Sequence, residues 1–589
     1  MRARLACLVA VAAAALGAAG GSPAPRFEEV GEVAGARTVH RPRRFAGPHA
    51  DVIGMFTSGG AAAAAGDFDG DGDDDLFVTS SDLGASNRLL RNEWLPSGRL
   101  AFTDVTAAAG VGGGNEEHAI VSDALFFDAD NDGRRDLLVA RFGTPLLYRN
   151  LGGGRFADLS RASGLERFAN SIAAIAFDYD ADGRLDLLLG HYFPPVDLVA
   201  LPTPHVLPDD LDQATNGGGA ALWRNVTPPG SPAIRFEDTT ARAGLGGHTG
   251  WTLDAGHADL DGDGDQDLYL AVDYGSDRLF WNNGDGTFRD ATGEAIGVDT
   301  RKGMNVDVGD YDRDGRLDVY VTNITDEYMR ECNMLWHNEG PDAAGRVVFT
   351  DLARETGTCD SLWGWAAKFG DFDNDGWEDL FAVCGLRSAG ERSYLPVLLD
   401  MILRPDVDFT DVRSWPPIGD MTWSGYQRKK LFRNLGGQTF KEVAREAGVD
   451  NDLDGRGVAM ADYDDDGRLD LYQTNAGQPA LLYRNTTAPA GHWLELRLVG
   501  TRSNRDAIGA RATVRAGGAS WIREVNGGNG YASQSTARLH VGLGPVAAVD
   551  GVEVRWPSGL VERFAAPVDR ITTLTEGSGA PLAPGRAGR

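Results

Sequence analysis

The residues that could do chemistry in this chain are aspartates, and they recur in one spacing. The phrase D-x-D-x-D-G-x-x-D, followed by Leu or Val, opens at Asp67, Asp128, Asp178, Asp259, Asp310, Asp371 and Asp462. Positions 1, 3, 5 and 9 are aspartate in every copy: Asp67, Asp69, Asp71 and Asp75; Asp128, Asp130, Asp132 and Asp136; Asp178, Asp180, Asp182 and Asp186; Asp259, Asp261, Asp263 and Asp267; Asp310, Asp312, Asp314 and Asp318; Asp371, Asp373, Asp375 and Asp379; Asp462, Asp464, Asp466 and Asp470. Calcium takes six to eight oxygens, and acidic loops supply them from positions 1, 3 and 5, a backbone carbonyl at 7 and a later carboxylate. Position 6 is always glycine, for the sharp turn. Position 7 is Asp73, Arg134, Arg184, Asp265, Arg316, Trp377 and Arg468, a variation that a carbonyl ligand tolerates and a side-chain ligand does not. Four carboxylates in nine residues repel one another unless a cation lies among them, so the expectation is about seven structural calcium ions. Magnesium, which wants a rigid octahedral site and several waters, fits less well.

Such loops need elements to hold them. Each copy is followed by an aromatic-X-Asn phrase, such as Tyr148-Arg149-Asn150 or Phe432-Arg433-Asn434, and then by a Phe phrase such as Phe156-Ala157-Asp158-Leu159. Short apolar alternation bounded by Gly and Asp reads as strands. The unit is therefore four antiparallel strands with the acidic loop between the first two. Seven such units arranged radially make an all-β, seven-bladed β-propeller over 27–490. The seventh unit has no Phe phrase after Asn485, but an orphan copy, Phe27-Glu28-Glu29-Val30, lies near the N-terminus. It is expected to pair with the last unit and close the ring.

The connections opposite the acidic loops carry the long inserts, about 191–220 in the third unit and 385–430 in the sixth, too aromatic for ordinary disorder. They read as a cap over the central funnel. The turns between units bring His118, His248, Trp251, Lys302, Trp363, Trp365 and Arg456 to that face as candidate ligand-binding residues. The tryptophans either line a site there or fill the space between blades. His118, His248 and His257 could converge, but no G-x-S-x-G, H-E-x-x-H or Walker phrase is present, and no catalytic residue is assigned. The Asn-X-Thr phrases at Asn225, Asn323 and Asn485 receive no role.

The balance of 86 acidic against 56 basic residues, a formal charge of −30, speaks against nucleic acid or an anionic membrane as partner. Residues 1–19 have the basic, apolar and small-residue parts of a secretory signal cleaved near Ala19. The apolar run is too short to span a bilayer, so no membrane insertion is expected. Cys332, Cys359 and Cys384 remain after the leader, enough for one disulfide whose pairing the sequence leaves open.

After Asn485 the acidic phrase stops and alternating strands such as Trp493-Leu494-Glu495-Leu496-Arg497-Leu498 begin, giving a small β-rich C-terminal domain over 491–577 and a flexible tail over 578–589. The acidic phrases resemble the FG-GAP or VCBS repeats of integrin α-subunit propellers, which implies calcium between the first two strands of a blade. Asn504-Arg505-Asp506-Ala507-Ile508-Gly509-Ala510, Gly530-Tyr531-Ala532-Ser533-Gln534-Ser535, His540-Val541-Gly542-Leu543-Gly544 and Val554-Arg555-Trp556-Pro557-Ser558-Gly559 resemble the ASPIC/UnbV domain. Together they are similar to the cartilage acidic protein family, whose animal members are secreted calcium-binding matrix proteins. The resemblance implies calcium binding but not a ligand; the leader and the aromatic, insert-bearing face opposite the calcium loops point to an exported module, extracellular or periplasmic, that binds a glycan, protein or peptide there. Bacterial relatives associated with enediyne-type pathways imply the alternative, an enzyme acting on a secreted metabolite, natural product or polysaccharide in the funnel. Tyr531 and Gln534 could face a ligand or cap a buried turn.

Overall fold

The computed structural model describes residues 24–47, 49–199, 207–326, 328–488 and 491–582. The leader expected over 1–19, with its cleavage near Ala19, lies outside the described residues. Among them, each acidic phrase joins the first two strands of a four-stranded antiparallel set. In the second set these strands are Ile120–Phe127, Asp136–Gly143, Leu146–Asn150 and Phe156–Asp158. Phe127 faces Asp136, and Asn150 faces Phe156.

Seven sets follow this plan. Their inner strands are Ala63–Gly66, Ile120–Phe127, Ala169–Phe177, Trp251–Ala258, Asp307–Gly309, Gly364–Gly370 and Gly455–Ala461. Each neighbours the next, and the last neighbours the first, which is the closed ring of a β-propeller. The fourth strand of the last set is Phe27–Glu29, with Phe27 opposite Asn485 and Glu29 opposite Tyr483. Pairing the two chain ends removes two free sheet edges.

The asparagine near the end of each third strand, two residues after an aromatic in six units and after Leu90 in the first, supplies a second closure. Its Nδ2 donates across to the preceding set, to the carbonyl of the second residue of that set's acidic loop. The seven bonds run Asn150 to Phe68, Asn225 to Ala129, Asn282 to Tyr179, Asn338 to Leu260, Asn434 to Tyr311, Asn485 to Phe372 and, across the closure, Asn92 to Tyr463, all at 2.7–2.9 Å. Asn225 and Asn485 are thereby fully buried and cannot carry a glycan. A glycine with positive φ repeats the register: Gly164 passes under Phe236, and Gly35, after the N-terminal strand, passes under Phe102. A Cβ there would meet the phenylalanine carbonyl at 2.6 and 2.8 Å. The N-terminal segment thus has the contacts of a regular fourth strand.

The C-terminal domain has two sheets. His492–Val499 lies between Leu539–Gly544 and Ile571–Thr575; the second sheet runs Ala519–Glu524, Arg511–Ala516, Gly551–Arg555, Val561–Phe564 and Ala580–Pro581. Leu494, Val514, Val541, Val552 and Trp556 are buried in its core. Residues 580–582, read from sequence as part of a flexible tail, pair with the edge strand instead. The domain is also not a separate module. Its segment 527–535 enters the propeller, where Ser533–Gln534 add a parallel strand to Ala63–Ala64.

Candidate functional site

The acidic loops form one face. Within each, the position-7 amide donates to the position-5 carboxylate, as Arg134 to Asp132 and Trp377 to Asp375 at 3.0 Å. The position-9 carboxylate clamps two amides: Asp136 accepts from Asn150 at 2.7 Å and from Ala129 at 3.1 Å. Burial, followed by the neighbouring carboxylates, holds Asp136, Asp186, Asp267 and Asp470 well above the usual carboxylate range. Ligand oxygens of Asp67, Asp69 and Asp71, of Asp128, Asp130 and Asp136, and of Asp178, Asp180 and Asp186 lie within 4.8 Å of one another. One oxygen of each position-3 carboxylate at Asp130, Asp180 and Asp373 is buried with no hydrogen-bond partner. A buried, unpartnered oxygen beside two or three further carboxylates suits a hard divalent cation with oxygen ligands, so these residues fit calcium.

The position-7 arginines do not point away from the loops. Arg134, Arg184, Arg316 and Arg468 each fold back onto the position-5 aspartate, and each donates Nε to the carbonyl of the third-strand asparagine. Trp377 packs against the Arg313 guanidinium. Sequence reasoning missed another group, the middle residue of the aromatic-X-Asn phrase. Arg149, Arg224 and Arg433 reach Asp130, Asp180 and Asp373 at 2.6 Å, and Arg484 reaches Asp464 at 2.5 Å. His337 takes the same place in the fifth unit, 3.3 Å from Asp318. Strand alternation holds the signal, because a residue beside a buried aromatic points to the other face.

The C-terminal domain covers this face. Arg497 pairs with Asp67, and Asp506 accepts from the Asp128 amide. Arg555 and Arg511 converge on Asp259, and Trp521 stacks on Arg313 and donates to the Gly376 carbonyl. Arg538 binds Asp465. From there the segment 527–535 rises through the centre of the ring, bonding to the edge of each inner strand or the residues leading into it. Gly527 accepts from the Ala176 amide and donates to His257; Asn529 binds His257 and the Lys368 ammonium; the Tyr531 amide donates to Asn305 Oδ1. Ser533 and Ser535 accept from Val458 and Met460, and Gln534 brackets Phe126. Gly527 is required, since a Cβ there would stand 1.7 Å from the Ala176 carbonyl oxygen. Gln534 is therefore structural. The insert satisfies part of the backbone edge that lines the channel, and Asp123, Asp254 and Asp307 accept from the Ala174, Val306 and Phe369 amides in or just before the next inner strand.

Toward the opposite face the insert turns at Tyr531, which donates to the Gly59 carbonyl at 2.9 Å and packs 5.0 Å from Trp365. It is the floor of an aromatic cavity of about 100 Å³. The sixth-unit insert roofs it with Leu398, Trp415 and Trp423; Tyr192, Tyr274 and Tyr328 form a second wall. Of the candidate ligand residues, Lys302, Trp363 and Trp365 line the cavity. Arg456 stacks on Trp365 at 4.3 Å and gives its N–H groups to the Gly385, Leu386 and Gly455 carbonyls. Trp251 is buried against Tyr192 and Tyr274, and binds Asn216. His118 stands outside, paired with Asp197 at 2.6 Å, and His248 binds Thr252 at 2.8 Å. His257, held by Gln266 and Gly527, lies toward the acidic loops, so the three histidines do not converge.

The cavity's polar groups are few. Tyr192 donates to Asp273 at 2.7 Å, and burial pushes the Asp273 carboxyl up to about 7. The Lys302 ammonium spends its three protons on Glu331, Asp212 and the Thr300 carbonyl. The Trp363 indole N–H has no acceptor among the described residues. Asp273 follows the strand Asp267–Asp273 outward from its loop, and nothing in the local sequence separates it from other acids. Nearby, Cys332 and Cys359 form a disulfide, and Cys384 is a buried free thiol.

Comparison with known proteins matches this architecture. The model of the FG-GAP-like repeat matches residues 128–189 and 259–321, and that of the ASPIC and UnbV domain matches 500–581. Cartilage acidic protein 1 of Homo sapiens is 27% identical over 56% of this chain and 45% of its own length, and that of Mus musculus is 27% identical over 52% and 42%. The chain is similar to the cartilage acidic proteins in its FG-GAP-like repeats and its ASPIC and UnbV domain. It spans about half the length of the curated relatives it matches. Among solved structures, an Agrocybe aegerita lectin that recognises non-reducing terminal N-acetylglucosamine aligns over 72% of this chain and 80% of its own, at 17% identity and a TM-score of 0.28. A Bacillus licheniformis rhamnogalacturonan lyase aligns over 79% and 76%, at 12% identity and a TM-score of 0.34. At these values neither likeness adds to the fold described above. No helix among the described residues is long and apolar enough to cross a membrane.

Proposed function

We propose that this protein is an exported, calcium-stiffened propeller that holds a small ligand, or the tip of a larger one, in the aromatic cavity opposite its acidic loops. The cavity carries the reading. It is walled by tryptophan and tyrosine, floored by a residue from another domain, and contains one carboxylate and one unpartnered N–H donor, the composition of a binding pocket rather than of inter-blade filling. Calcium would be held by the aspartates at positions 1, 3, 5 and 9, where its charge relieves their mutual repulsion. The basic, apolar and small-residue leader supports export. A second reading rests on Asp273, a buried carboxyl pushed up to about 7 beside a tyrosine, which suits acid–base chemistry in the same pocket.

The test is to incubate immobilised, calcium-loaded protein with extract of the producing cells and identify by mass spectrometry what is retained and what changes. A compound retained unchanged by the wild type and lost with Trp363→Ala supports binding. Conversion of a compound, abolished by Asp273→Asn, replaces binding with catalysis. Retention that Trp363→Ala leaves intact places the ligand elsewhere and refutes the cavity.

A further inference from the structure

We propose that the cavity takes an organic ammonium group, a methylated or otherwise alkylated amine, with Asp273 as its counter-ion and the Trp363, Trp423 and Tyr328 rings as its walls. The inference rests on the cavity being the ligand site and adds the class of ligand.

The argument for a cation begins with which polar groups remain available. An anion would need a free donor of positive charge, and Lys302 is not one. Its ammonium is 2.8 Å from Glu331, 3.1 Å from Asp212 and 3.1 Å from the Thr300 carbonyl, so all three protons are engaged and its charge is balanced by two carboxylates. Arg456 does not line the cavity, and its two Nη groups are committed to backbone carbonyls. Asp273 is the carboxylate left without a bonded cation. Among the described residues, its side-chain partner at hydrogen-bond distance is the neutral Tyr192 hydroxyl, and Lys302 acts on it through space alone. A sugar would ask for several converging donors and acceptors, whereas the walls are rings and methyl-bearing side chains.

Ring geometry supports the same class. Trp363 and Trp423 stand perpendicular at 5.9 Å, and Tyr328 lies 6.2 Å from Trp363, so faces and edges meet around one space. Aromatic faces attract alkylammonium groups through the ring quadrupole, most strongly when water is excluded. The volume fits a head group: about 100 Å³ is less than the roughly 150 Å³ apolar cavity that holds benzene. The Trp363 N–H is left for an acceptor on the ligand's remaining part.

The test uses the full chain in calcium and two probes of one shape, choline and its uncharged isostere 3,3-dimethylbutan-1-ol, followed by calorimetry and tryptophan fluorescence. The expected result is that choline binds about tenfold or more tighter, that Asp273→Asn removes most of that preference, and that Trp363→Ala weakens both probes. If the alcohol binds as tightly as choline, the ammonium assignment is wrong while the cavity stands as a ligand site. If neither probe binds, the ammonium assignment also fails, and the retention experiment with Trp363→Ala decides separately whether the cavity binds anything.

Discussion

Replacing Arg538 by methionine should undo the docking of the two domains. This side chain comes from the C-terminal domain and is 6% exposed. It lies 2.6 Å from Asp465 in the seventh loop, 3.4 Å from Glu495 on its own domain's first strand and 3.8 Å from Asp74 in the first loop, and it donates to the Gly72 carbonyl. One guanidinium therefore ties the first and last units of the ring to the domain that covers them. Methionine keeps most of the volume and leaves three carboxylates facing one another, with Glu495 fully buried. Removing one partner of a buried ion pair costs about 3–5 kcal/mol, because the remaining charge is stranded. For a C-terminal unit of this size that lowers its melting transition by roughly 10 °C or more. The matched control is Arg515→Met, whose pair with Glu553 is 55% and 35% exposed and is worth about 0–1 kcal/mol. Calorimetry measures both, with limited proteolysis of the 486–492 connection as a second readout. A double variant, Arg538→Met with Glu495→Gln, should recover part of the loss. If Arg538→Met melts with the Arg515→Met control, the interdomain ion cluster does not hold the domains together.

Chelation of calcium should lower the melting temperature by more than 10 °C and be reversed by excess calcium, since each occupied site at a hundredfold excess over its Kd adds about 2.7 kcal/mol; an unchanged melt in excess chelator refutes structural calcium. Because the C-terminal domain sits on the same loops, chelation should also expose it to protease. Asp273 makes a pH-dependent contribution. Its folded pKa of about 7 is above the unfolded carboxyl value, so the neutral form favours the fold. That stability is complete below about pH 4 and falls by about 1.4 kcal/mol per pH unit up to about pH 7. Asp273→Asn should therefore gain on the wild type as pH rises through that window; parallel stability curves would show that the carboxyl is not buried as described. Serine at Cys332 and Cys359 should cost roughly 3 kcal/mol, the value for closing a loop of this length, in chemical denaturation. Cys384, buried with its thiol pushed up by burial, should react with a thiol reagent only after unfolding.

The ring was legible because its information is local and repeated. Loop, aromatic-X-Asn phrase and Phe phrase each specify a strand or turn within a few residues, and the orphan Phe27 phrase betrays the closure by its likeness to six others. The asparagine was visible as a letter but not as a connector, since its partner is in the preceding unit, 371 residues away for Asn92 and Tyr463. Placement of Lys302, Trp363 and Trp365 on one face follows from turn position alone. Which side chains then enter the cavity depends on neighbours: His118 is drawn outward to Asp197, and Trp251 is enclosed by tyrosines. Asp273 had no sequence signal because its role is created by the rings around it.

The segment 527–535 explains why the C-terminal domain and the cavity belong to one device. Its Asn-Gly-Gly-Asn-Gly-Tyr run has no strand periodicity and would read as a loop in any isolated domain. Inside the ring it meets inner strands whose edges line the channel, and a backbone group in such a place must be bonded or hydrated. The insert satisfies part of these edges with glycines that approach closely and with the side chains of Asn529, Ser533 and Gln534. It then presents Tyr531 to the far side, 5.0 Å from Trp365, as the cavity floor. A propeller cut off after residue 488 would keep the seven acidic loops but lose the covering arginines, the channel filling and that floor at once. The acidic loops and the aromatic cavity lie on opposite faces, yet both are completed by the same domain, and the depth of the cavity is fixed by how that domain seats on the loops.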